Sequence, residues 1–128
     1  MEGAIEDPMC WNFWGWGGAA IALTLANLGS AYGTAKSGMG IASMAVTRPH
    51  LAFKSIVPVI MAGILSIYGL IISVLISQSV KLEEEKAGPA PAAKALCAGL
   101  ACGLSQLAAG YAIGLVGENG VKSYAMNE

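Results

Sequence analysis

Charge is scarce in this chain: 12% of its 128 residues are Asp, Glu, Lys or Arg, about half the share of an ordinary globular domain. None of those residues falls in three stretches, Trp11 to Ala35, Ser55 to Val80 and Ala95 to Gly117. Each exceeds the roughly 20 residues that cross the hydrocarbon of a bilayer, which predicts three membrane spans. The net charge of -1 says nothing about nucleic acid, but no basic patch or interleaved aromatic motif appears, and no nucleic-acid partner is expected. Cys10, Cys97 and Cys102 lack metal-ligand spacing, and Cys97 and Cys102 point in different directions on one predicted helix. Neither a structural disulfide nor a zinc site is expected. No nucleotide-binding loop, catalytic triad or other cofactor motif is present, so ATP hydrolysis is not expected of this chain. The leading MEGAIEDP is acidic where a signal peptide is basic.

Glycine and small residues are plentiful. The chain holds 17 glycines on an otherwise helical pattern, and apolar residues make up 55% of it. Gly29, Gly33 and Ser37 recur every four residues, a spacing that places them on one helical face. In lipid, apolar side chains gain little by burying against one another, and such smooth stripes are what let helices adhere. The third span carries Gly99 and Gly103, then Gly110, Gly114 and Gly117. It also repeats the first: a shift of 79 places Leu104 on Leu25, Leu107 on Leu28, Tyr111 on Tyr32 and Gly117 on Gly38. The reading is an all-α membrane protein of transmembrane helical hairpins. Residues 1–80 form a first repeat with helices at about 11–46 and 52–80, 81–94 a polar linker, and 95–128 an incomplete second repeat.

Within that frame most remaining residues have plain roles. Trp11, Trp14 and Trp16 stand at the mouth of the first span, where amphipathic rings favour the headgroup level. Asn27 inside the span bonds either across to another helix or to carbonyls of its own turn. Lys36 is either a functional intramembrane charge or, near the helix end, a chain that snorkels to the headgroups; the second is favoured. Arg48-Pro49 closes the helix, because proline disfavours helical backbone in the residue before it. The second span is Ile-, Val- and Leu-rich all round and suits the outside of an assembly, whereas both Gly-striped spans pack inside. Lys81 to Lys94, KLEEEKAGPAPAAK, reads as a wet loop stiffened by Pro89 and Pro91. The 36–54 region is basic and the leader has no Lys or Arg, which puts the N-terminus outside or lumenal and the 36–54 region in the cytosol.

The stretch LGSAYGTAKSGMGIA, the RP that follows, SIVPVIMAGILSIYGLIISVLI, and GLSQLAAGYAIGLVGENGV together resemble the proteolipid c subunits of V-type proton ATPases. The resemblance runs over nearly the whole chain from about Trp16. It implies a ring-forming subunit of the membrane rotor (V0 sector), whose first and third helices line the inner wall while the second and fourth face outward. It also implies a vacuolar or other acidic endomembrane, with further proteolipids, stator and stalk subunits and membrane lipid as partners. In that family a Glu on the fourth helix, shortly before Tyr-Gly-Leu, carries the proton. Here the motif occurs once, at Tyr68-Gly69-Leu70, and Gly63 occupies the position corresponding to the Glu.

The same shift places Glu128 opposite Pro49, so these 128 residues stop where the resemblance expects the turn into a fourth helix. The chain is therefore predicted to be a truncated copy without the proton carrier. Burial raises the pKa of such a carboxyl and lets it cross lipid neutral. Glu118, the one acid near a span, lies at its edge and reads as a headgroup residue. Three functions follow: a rotor proteolipid, a non-transporting structural or truncated isoform, and an unrelated small helical membrane protein.

Overall fold

The computed structural model describes residues 8–82 and 89–127, all of them in helices or the short connection between the first two. Helix α1 spans Pro8–Thr47, α2 Val57–Leu82 and α3 Pro89–Asn127. At 1.5 Å per residue, the 40 residues of α1 and the 39 of α3 each run about 60 Å. By length and composition two segments are apolar enough to cross a membrane, Lys54–Lys81 and Pro89–Asn127. Helix α1 is not among them, because its glycines, tryptophans, hydroxyl residues and Asn27 lower its hydropathy although no charge interrupts it from Pro8 to Ala35.

Two expected boundaries shift. Pro89 to Lys94, expected as linker, form the first turns of α3. Proline suits that place, since the first helical N–H groups have no partner to lose and its φ is already helical. Ala52 to Ile56, expected as helix, instead form a turn that ends in the second of two short 3-10 segments, Pro49–Leu51 and Lys54–Ile56. The acidic leader and the Glu-rich core of the linker lie outside the described residues.

Helix α1 ends at Thr47, just before Arg48-Pro49, as the chemistry of proline requires. Arg48 turns out of the helix (φ -140°, ψ 80°), yet its N–H still donates to the Met44 carbonyl at 2.8 Å. Leu51, 1% exposed, then inserts between Met44 on α1 and Val121 on α3. Ser55 Oγ donates to Met44 Sδ at 3.6 Å. This small plug fixes where the chain turns back.

Helices α1 and α3 run parallel: Gly18 meets Gly99, Gly29 meets Gly110, Gly33 meets Gly114, and Gly40 meets Glu118. Helix α2 returns antiparallel in the groove between them, with Val80 at Gly15, Gly69 at Ala26 and Ala62 at Gly33. Most buried positions of α1 fall in three sets, Gly15, Gly18 and Ala22, then Ala26, Gly29 and Gly33, then Ser37, Gly40 and Met44, with Ala19 and Ser30 beside the first two. Each set repeats the last after 11 residues, about 3.67 per turn, the repeat of right-handed helix pairs. The buried residues of α3, from Ala92 to Val121, follow the same spacing displaced by 77, with Gln106 alone only half-buried. Inward positions on α2 instead recur every seven, at Ala62, Gly69 and Ile76, in register with Ser55 in the 3-10 turn before it. Among the described residues the largest side chains fully enclosed are Leu51 and Ser37. The interior is built of small residues in near backbone contact, the mode of packing that lipid favours.

Candidate functional site: a glycine seam with a charged end

The seam between α1 and α3 leaves no room for side chains. A methyl group at Gly29 would stand 2.5 Å from the Gln106 carbonyl oxygen. One at Gly110 would collide with the Gly29 peptide, and one at Gly99 with that of Gly18. Gly33 lies 3.0 Å by the same measure from both the Ala62 side chain and the Gly110 carbonyl. Gly103 abuts Leu25, and Gly114 abuts Lys36, Gly33 and Tyr32. At Gly117 a methyl would meet Ser37 Oγ at 2.5 Å and Pro58 at 3.0 Å, so all three helices converge there. Ser37 is fully buried at this junction. Tyr32 and Tyr111, partners in the 79-residue repeat, stack with ring centroids 5.1 Å apart.

Gly63 differs from all of these: nothing lies within 4 Å of where its side chain would be. Around it α2 presents Ile60, Met61, Ile64, Ile67 and Tyr68, each at least 40% exposed. That face of α2 is apolar and exposed.

Several residues of the seam escape the four-residue spacing. Gly18 and Gly40 belong to it, each 11 residues from Gly29, and the longer period was their only signal. Gly69 is the glycine by which α2 approaches both Ala26 and Gln106. Gln106 brings a buried amide into the seam: its Oε1 has no hydrogen-bond partner, and its Nε2 donates to Cys102 Sγ at 3.4 Å. The 79-residue shift places it on Asn27, so each repeat carries one amide at this level. Asn27 itself is exposed, on the side of α1 away from both neighbours.

Charge gathers at one end of the seam. Lys122 Nζ donates to Glu118 Oε1 at 2.9 Å, one turn along α3. Lys36 Nζ reaches across from α1 to 4.0 Å from Glu118 Oε2. Glu118 lies just past the charge-free run, and the hydrogen bond from Lys122 holds its carboxyl below the ordinary range against a smaller opposing effect of desolvation. A proton carrier requires the opposite shift. At the other end Lys81 Nζ sits 5.9 Å from the Trp16 ring centroid, within cation–π range. Trp14 and Trp16 are 48% and 44% exposed, as membrane-interface rings are. The three cysteines are free, and no cluster with metal-ligand composition occurs among the described residues. A cleft of about 410 Å³ opens among all three helices at the tryptophan end, and one of about 480 Å³ between α2 and α3 at the other.

Comparison with known proteins agrees with this geometry. The sequence model of the ATP synthase C-subunit family matches residues 17–76 and 96–128. The V-type proton ATPase 16 kDa proteolipid of Chrysotila carterae is 56% identical over 119 residues, covering 88% of this chain and 71% of that protein. The corresponding 16 kDa proteolipid of sheep (Ovis aries) is 48% identical over 125 residues, covering 98% of this chain and 79% of its own length. That of rat (Rattus norvegicus) is 50% identical over 120 residues, covering 94% and 76%. With three long helices joined as hairpins and relatives this similar over most of its length, the chain belongs to the ring-forming 16 kDa proteolipids of the V-type proton ATPase, within the ATP synthase C-subunit family.

Proposed function

We propose that this chain is a proteolipid of the membrane rotor ring of a V-type ATPase, taking part in ATP-driven proton transport and the acidification of a vacuolar or other endomembrane compartment. One observation carries the reading: the segments matching the family are those that form the parallel α1–α3 seam with α2 on its outside. Such a seam makes a stiff inner wall, and a rotor must turn as one body. Further proteolipids are the neighbours in the ring, stalk and stator subunits its other partners, and ATP is hydrolysed elsewhere in the complex.

Topology and domains follow from the same reading. Helix α1 lies beside α3 along its whole length and crosses the membrane with it, so the chain has three spans. Residues 1–80 and 95–128 are two related repeats, in keeping with the two separate family matches. The tryptophan end is lumenal, and the end bearing Lys36, Glu118, Lys122, Arg48 and Lys54 is cytosolic.

Within these 128 residues no group carries the proton. The charge-free runs contain no Asp or Glu, and the hydrogen bond from Lys122 lowers the pKa of Glu118, at the edge of the third. Gly63 occupies an open, lipid-facing site, where a carboxylate in this family works, but it has no side chain to titrate. A second reading rests on that point: the chain packs into the ring as a structural, non-transporting member. Co-expression with the remaining ATPase subunits tests both. Recovery of the chain in the purified complex supports ring membership; a chain absent from every purified complex overturns it. In a recovered complex, proton pumping that persists when this chain is the sole proteolipid refutes the structural reading.

A further inference from the structure

Glycine hollows α3 where it faces α2 near the charged end. A methyl at Gly117 would meet Pro58, whereas nothing lies within 4 Å of where a side chain at Gly120 would be. The space left there is the cleft of about 480 Å³, walled by Val57, Pro58 and Met61 on α2 and by Ile113, Val116 and Tyr124 on α3. Small-molecule sites run from about 300 to 1,000 Å³, so the cleft is large enough to hold a ligand. Val57, Met61 and Val116 are each more than half exposed. The way in is therefore apolar.

Its depth matches one leaflet of a bilayer. From Tyr124 to Ile113 α3 runs 11 residues, about 16 Å at 1.5 Å per residue. Half of a hydrocarbon core roughly 30 Å thick is close to the same. Lys54 lines the mouth of the cleft and directly precedes the charge-free run that starts at Ser55. The cleft thus opens at the headgroup level and leads inward.

Charge at this end is one-sided. Among the described residues Lys36, Arg48, Lys54 and Lys122 stand there against a single acid, Glu118. That acid is already engaged by Lys122 at 2.9 Å and approached by Lys36 at 4.0 Å. Lys54 and Arg48 form no ion pair among the described residues. A lysine without a carboxylate, at the rim of an apolar cleft, fits an occupant with an anionic head and a long apolar body.

We infer that this cleft holds one anionic glycerophospholipid, with an acyl chain between α2 and α3 and its phosphate at Lys54. In the topology proposed above the lipid comes from the cytosolic leaflet, where anionic lipids gather. Tyr124 adds an amphipathic ring at the same level, as membrane interfaces favour.

Native mass spectrometry of the full chain in detergent micelles tests this, with phosphatidylglycerol and phosphatidylcholine of equal acyl chains as probes. One phosphatidylglycerol should be retained about fivefold more tightly, the share of a single lysine near a membrane surface. Lys54→Gln should erase that preference. Gly120→Leu fills the cleft from an open position and should lose both lipids. Gly38→Leu is equally open but lies outside the cleft, and should bind as the parent does. Circular dichroism checks that each variant keeps its helices. Equal retention of the two lipids overturns the inference, as does a loss at Gly38→Leu equal to that at Gly120→Leu. A dimer dispersed by Gly120→Leu would give the cleft to a second copy. Loss of the lipid when a fourth apolar helix is appended would give it to that helix, and either result overturns the inference. The measurement needs neither the ring nor an orientation, so its failure leaves the proposed function standing.

Discussion

A single methyl group at two glycines should act with opposite signs. At Gly29 an added Cβ would lie 2.5 Å from the Gln106 oxygen and 2.9 Å from Leu107 Cα, whereas ordinary contact begins at 3.4 Å. Backbone atoms are what it strikes, so no side chain can rotate away, and α1 and α3 must part by nearly an ångström. Overpacking of this kind costs about 1–3 kcal/mol. A gap of 0.5–1 Å also forfeits roughly a quarter to a half of each neighbouring dispersion contact. Against this, Gly→Ala in a helix gains at most about 1 kcal/mol. Gly29→Ala should therefore destabilise by about 1–2 kcal/mol. At Gly63 nothing lies within 4 Å, so only the gain remains, up to about 1 kcal/mol.

The two variants should thus differ by about 2–3 kcal/mol, roughly 30- to 150-fold in the folded-to-unfolded ratio. Reversible unfolding in mixed micelles, titrated with SDS and followed by helical circular dichroism, measures the difference. Gly110→Ala strikes the same contact from the other side. Combined with Gly29→Ala it should cost less than the sum of the two, because the helices have already parted. If Gly29→Ala is as stable as the parent, or if Gly63→Ala falls equally, backbone contact does not hold this seam and the packing argument fails.

Other tests address charge, topology and chemistry. Glu118 has its carboxyl held below the ordinary value of 4.5. The stability it adds is therefore present above that pH and lost as pH falls through the lower folded value; Glu118→Gln should remove that acid limb from a pH–stability curve, and an unchanged limb would assign it to another group. An impermeant thiol reagent applied to the lumenal or outer side should label Cys10, and should fail to label a cysteine placed at Ser43 or His50; labelling at position 50 from that side reverses the topology. Residues 1–128 reconstituted alone should resist apolar carbodiimides and carry no proton flux, and modification of Glu118, or flux abolished by Glu118→Gln, would assign it the carrier role.

The helices and the inward glycines of α1 and α3 were legible because each leaves a mark that needs no partner. A run without charge marks a span, and a four-residue recurrence marks a face. Pro89 to Lys94 misled because prolines and a lysine look like loop chemistry, although the first turn of a helix tolerates both. Gly69 was not separable from Gly63 by sequence. The two lie six residues apart on α2 and point in different directions, and only the position of α2 over the seam decides that Gly69 faces Ala26 while Gly63 faces open space. Gln106 was invisible for a related reason. A polar residue in an apolar run announces a partner, but which one depends on the neighbouring helices.

The least legible property was the rotation between repeats, and it bears most on assembly. Similarity alone gives the offset of 79 and shows that the halves are alike. Had like halves met through like faces, the buried positions would share that offset, the contact would close on itself, and a pair of repeats would be complete. The offset of 77 in the buried positions places the contact on opposite faces instead. One chain then keeps an unused copy of each face, on α1 at one flank and on α3 at the other, with α2 on the outside throughout. Those unused faces bear alanine, serine and glycine, where the exposed face of α2 bears isoleucine and leucine.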